Sequence, residues 1–204
     1  MSVGQFIGEQ RVYLRNISWH TYAEIANLAD RPGRRIAYDQ GVMEIMSPST
    51  THEVIKKLIA RMIESYALER DVELRSIGST TLQREDLLKG VEADECYYVG
   101  GEENCLSSEE IDLSNSPPTL AVEVEITRSS RMKLEIFAAI GIREVWFVNA
   151  DTIECMALVA GRYRATSSSS VLISFPFDDA SRLISQRQRM TENEIVRAFQ
   201  RAVT

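Results

Sequence analysis

Hydrophobic positions recur at helical spacing most clearly where Val54, Ile55, Leu58, Ile59, Met62, Ile63 and Tyr66 form one stripe. With Thr50 and Glu53 at capping-box spacing, this predicts a helix over 51–69. A shorter helix over 19–30 starts behind Ser18 and is ended by Pro32 and Gly33. Segments 35–38 and 42–46 flank Asp39-Gln40-Gly41 and read as a hairpin. Strands are expected at 72–77 and 80–83 around Gly78-Ser79, and at 94–99. After an acidic, polar loop over 100–118 come a strand at 120–126, a helix at 130–140 closed by Gly141, and a strand at 144–149. That order is most simply a right-handed parallel crossover, so the sheet should be mixed. A hairpin over 152–165 turns at Ala160-Gly161, and the serine run 167–170 reads as a mobile loop rather than a phosphate site. The last helix, capped by Thr191 with Glu194, carries Ile195, Val196, Phe199 and Val203.

No repeat or long linker divides the 204 residues, so a single α/β (α+β) domain over 1–204 is expected, a mixed central sheet flanked by helices. No stretch approaches the roughly 20 apolar residues that cross a bilayer. The N-terminal segment lacks a cleavable signal pattern, which points to the cytoplasm. Cys96, Cys105 and Cys155 form no CxxC, and His20 and His52 are the only histidines, which argues against a disulfide framework and a structural zinc site. The net charge of -7 argues against a broad basic nucleic-acid surface. It leaves room for a nuclease, whose metal-binding carboxylates add negative charge where a cation sits.

The strand around residue 123 carries the most chemistry. Side chains alternate, so Val122, Val124 and Ile126 share one face and Ala121, Glu123 and Glu125 the other. Either that face is solvated, or the crossover helix covers it and the carboxylates need a partner or a cation. On that helix Met132, Ile136, Phe137 and Ile140 form the buried stripe, and Lys133 falls inside it. It either snorkels to solvent or reaches Glu123 or Glu125. Asp94 is a turn residue at its strand's start, or, if that strand lies beside Glu123, half of a carboxylate pair able to share a divalent cation.

Asp94, then Glu123-Val124-Glu125, then Lys133 resembles the PD-(D/E)XK nuclease superfamily. The wider text is similar to its putative restriction endonuclease family. Met46-Ser47-Pro48 with His52-Glu53, the string from Glu92 to Tyr98, that from Glu123 to Ser130, and that from Lys133 to Trp146 carry this likeness. The resemblance implies a core of helix, three strands, crossover helix and strand. It implies a DNA endonuclease using Mg²⁺ or Mn²⁺, with Asp94 and Glu123 as metal ligands and Asp94, Glu123, Glu125 and Lys133 as the catalytic set. Ala93 stands where the motif has proline, and Glu125 where it has lysine, a cation Lys133 is positioned to replace. The competing reading is a catalytically inactive relative acting as an interaction or DNA-binding module. A glycosidase built on Glu123 and Glu125 is disfavoured because the two lie side by side.

Arg128 and Arg131 at the mouth of the crossover helix are either solvated or phosphate contacts. Glu53 is assigned to the helix cap, and His52 to packing in the first turn. A homodimer is expected from the apolar content of 171–177 and 195–203 and from a duplex cutter's need for two sites. Glu123→Gln should abolish metal binding and stabilise the metal-free protein by relieving repulsion among Asp94, Glu123 and Glu125.

Overall fold

The computed structural model describes residues 9–28, 33–101, 111–126 and 131–203, excluding the side chain of Arg131. Two sheets carry the fold. The first is antiparallel and contains β1 (Gln10–Arg15), β2 (Arg35–Asp39), β3 (Val42–Ser47), β5 (Thr81–Arg84) and β6 (Lys89–Glu92), in the order β1-β3-β2-β6-β5. The second contains β4 (Leu74–Gly78), β7 (Glu95–Val99), β8 (Leu120–Val124), β9 (Glu144–Val148), β10 (Ile153–Val159) and β11 (Arg162–Thr166), in the order β11-β10-β9-β8-β7-β4. Among the described strands only β8 and β9 run parallel, joined by helix α3 (Arg131–Ile140). The sheet is therefore mixed and the crossover is present.

Each face of the mixed sheet is covered. Val122 and Val124 point into a core shared with α2 (Thr50–Glu69), α4 (Phe177–Ser185) and α5 (Glu192–Val203). Ala121 points the other way, toward Ile136, Phe137 and Ile140 of α3 and Ala37, Leu82 and Val91 of the first sheet. A smaller cluster under α1 (Trp19–Ala26) stacks Tyr22 on Tyr38 with centroids 4.7 Å apart.

Several expectations are corrected. Segments 72–77 and 80–83 do form strands, but they part at Gly78 into different sheets, β4 beside β7 and β5 beside β6. Strands β1 and β6 and helix α4 were not expected. Ser49 caps α2, accepting from the His52 N–H at 3.2 Å, so Thr50 is not the cap. The serine run is built in: Ser169 is buried, and the Ser169 and Ser170 hydroxyls with the Ser170 N–H donate to buried Glu144. Within the segments behind the homodimer expectation, Leu172, Phe175, Ile195, Phe199 and Val203 belong to the core, whereas Ile173 is 75% exposed. The Thr191–Glu194 capping box is present. No described helix is long and apolar enough to cross a membrane.

Candidate active site

The sequence places the site by strand geometry. In β7 and β8, Glu95 pairs with Val122 and Cys96 with Ala121. One step further along that register, Asp94 faces Glu123. The Val124 N–H donates to Asp94 Oδ2 at 2.8 Å, fixing the aspartate against the end of β8. Both carboxylates are buried, Asp94 completely. Helix α3 closes over them and delivers Lys133, 2% exposed, whose Nζ donates to Glu123 Oε2 at 2.5 Å. Of the two sequence alternatives, the covered face with a paired lysine is the one observed. Glu125 lies just beyond the end of β8, partly exposed, lining a cleft of about 460 Å³ with Thr51, Asn149, Asp151 and Arg187.

His52 was assigned to packing alone, and that is corrected. It is fully buried on the first turn of α2, with Nε2 2.9 Å from Asp94 Oδ1 and Nδ1 2.6 Å from Glu9 Oε1. Two flanking carboxylates are both served only by an imidazolium, which donates from each nitrogen. Burial alone would lower its pKa, but the bonds to Asp94 and Glu9 carry it up to about 9. Its apolar-stripe spacing signalled burial. The partners, more than forty residues away in each direction, left no local signal.

The first sheet supplies further charge. Arg11 on β1 donates to buried Glu44 on β3 at 3.1 Å and approaches Glu9 at 3.5 Å. Arg35, at the start of β2, sets Nε 3.6 Å from Asp94 Oδ1 and an Nη 3.8 Å from Glu53. Glu53 also pairs with Lys56 at 2.6 Å, so its role is in this ion network rather than in a capping box. Arg128 and the acidic positions 102, 103, 109 and 110 lie outside the described residues, as does the side chain of Arg131.

These charges set opposite conditions at the two carboxylates. Burial would raise Asp94, yet the His52 bond, the Lys133 charge and the Val124 N–H hold it below the usual range. Burial pushes Glu123 up, opposed by Lys133 and reinforced by the charges of Asp94 and Glu125. The charges of Glu123 and Asp94 raise Lys133 against the effect of its burial.

The donors suit a hard divalent cation. Glu123 Oε1 is buried and has no hydrogen-bond partner, an orphaned oxygen beside a second carboxylate. Among the described residues no group of three or more His, Cys, Asp or Glu could hold a metal ion. Two carboxylates with water completing the shell is nonetheless a usual Mg²⁺ environment.

No curated protein matches the chain. The model of the family described as putative restriction endonuclease, Uma2, matches residues 19–179, a span containing Arg35, His52, Asp94, Glu123 and Lys133. The chain therefore belongs to the Uma2 family, within the PD-(D/E)XK nuclease superfamily.

Proposed function

We propose that the chain is a Mg²⁺- or Mn²⁺-dependent DNA endonuclease with Asp94 and Glu123 as metal ligands. The observation that carries this reading is the buried Glu123 Oε1, which lacks a hydrogen-bond partner next to Asp94. A divalent ion bound there supplies a water of lowered pKa and offsets charge on the phosphoryl oxygens. His52 and the Val124 N–H hold the two oxygens of Asp94 in a fixed orientation. Lys133 holds Glu123 Oε2 and keeps a positive charge beside the reacting phosphate, the part the motif lysine would play at Glu125. Helix α3 keeps bulk water from this pair, which strengthens its electrostatics.

Calorimetry with Mn²⁺ and nicking of supercoiled plasmid test the reading together. Wild type should bind Mn²⁺ more tightly than millimolar and nick the plasmid. Glu123→Gln should lose both, whereas Lys133→Ala should keep Mn²⁺ and lose about 10²–10³-fold in rate. Retained Mn²⁺ affinity in folded Glu123→Gln would sink the ligand assignment.

The second reading is a catalytically silent module for interaction or DNA binding. Its support is that the protein's own cations, Lys133, His52, Arg35 and Arg11, already stand against the buried carboxylates. Mn²⁺ affinity of millimolar or weaker would favour it.

A further inference from the structure

The cations around the carboxylates are not equally engaged. Lys133 holds Glu123 at 2.5 Å, Arg11 holds Glu44 at 3.1 Å, and His52 bridges Asp94 and Glu9 at 2.9 and 2.6 Å. Arg35 differs. Its ion-pair partners are Asp94 Oδ1 at 3.6 Å and Glu53 Oε1 at 3.8 Å, beyond hydrogen-bond reach, and its Nε is buried with no hydrogen-bond partner.

A guanidinium presents five donors in a planar fork, and leaving them unmet in a largely buried position is costly. The backbone beside Arg35 is nevertheless anchored. The N–H of the next residue, Ile36, donates to Glu92 Oε2 at 3.2 Å, and Glu92 lies two residues before Asp94. The Arg35 side chain is 13% exposed, and Glu53, which it faces, is 40% exposed, so one end of the fork reaches solvent while the other looks at Asp94. A charged fork that is ion-paired with two carboxylates but hydrogen-bonded to neither, set between buried Asp94 and the surface, matches a tetrahedral oxyanion.

We propose that Arg35 is the phosphate-binding residue of this site, its guanidinium donating to the non-bridging oxygens of a DNA phosphodiester brought against Asp94. The assignment rests on the nuclease reading for its substrate, but contact with a phosphate is measurable without cleavage. Removing Arg35 leaves Asp94 bound by His52 and the Val124 N–H, so the fold should survive.

The test is fluorescence anisotropy of a labelled short DNA duplex, in EDTA and in Mn²⁺, across a salt series, with Mn²⁺ calorimetry alongside. Arg35→Ala should weaken duplex binding roughly tenfold or more at low salt. It should also flatten the slope of log K against log salt by about 0.9, the release of one counterion. Mn²⁺ affinity should be undiminished, because a positive charge has left the neighbourhood of Asp94. Arg35→Lys should keep the wild-type slope while binding more weakly, since it retains the charge and loses the fork.

An unchanged slope in Arg35→Ala overturns the proposal, as does a wild type that binds no duplex. If the alanine variant does not fold, Arg35→Lys decides: wild-type affinity overturns the assignment, and weaker binding at unchanged slope supports it. A flattened slope in a protein that never cuts would leave Arg35 assigned and reject the nuclease. Cutting with an unchanged slope would do the reverse.

Discussion

Glu123 and Lys133 form a pair in which each residue determines what losing the other costs. The sequence alone suggests that Glu123→Gln relieves repulsion and stabilises the metal-free protein. The observed 2.5 Å bond to a lysine only 2% exposed reverses that sign, because glutamine takes the hydrogen-bonded counter-charge from a buried ammonium and leaves it the more distant charge of Asp94. Urea titration of metal-free Glu123→Gln should show a loss on the order of 3 kcal/mol. The double variant Glu123→Gln/Lys133→Met should recover much of it, since a buried pair is often replaceable by apolar groups. A more stable Glu123→Gln would restore the repulsion argument. Residues such as Lys133 were legible because alternation on β8 and the wheel of α3 are local. His52 and Arg35 were not, since what makes each one matter is a carboxylate far along the chain.

Elements were legible wherever burial imprints one clear period. Helix α2 has its stripe, β8 its two faces, and β2 and β3 meet at Asp39-Gln40-Gly41, where Gln40 and Gly41 take positive φ as a tight hairpin turn requires. Strand β1 was missed because it lies at a sheet edge and is mostly exposed, so QRVYLR does not alternate. Strand β6 is four residues long and contains Gly90, which weakens any strand signal. That glycine is needed: a Cβ there would lie 2.0 Å from the Tyr22 hydroxyl oxygen, inside the stack that Tyr22 makes with Tyr38. Gly90→Ala should cost about 1–3 kcal/mol of stability by displacing the ring, measurable by denaturant unfolding. A neutral result would mean that Tyr22 moves aside freely. Partner choice was the least legible property. Nothing local to Gly78-Ser79 tells β4 to join β7 while β5 joins β6.

Across the whole molecule the site is a polar seam where the first sheet, α2 and the mixed sheet meet, and its protonation bears on stability. In the metal-free protein His52 has a pKa raised from 6.5 to about 9. A raised pKa stabilises fully below the unfolded value and loses that contribution as pH climbs through the folded one. Stability should therefore fall between about pH 6.5 and 9, by on the order of 2–3 kcal/mol. His52→Gln should flatten this part of the profile, as followed by thermal melts across buffers. A profile unchanged by the substitution would assign the slope to other groups.

The seam's partners are far apart in sequence: Glu9 and His52 are separated by 43 positions, and His52 and Asp94 by 42. Each pairing rewards the chain only after a large loop has closed, so the contact order of these bonds is high. Local helix formation in α2 can precede the seam, but the charges come together only once both sheets have docked. The same residues that hold the carboxylates therefore make the site a late product of folding, one that no single sheet or hairpin of this chain would carry on its own.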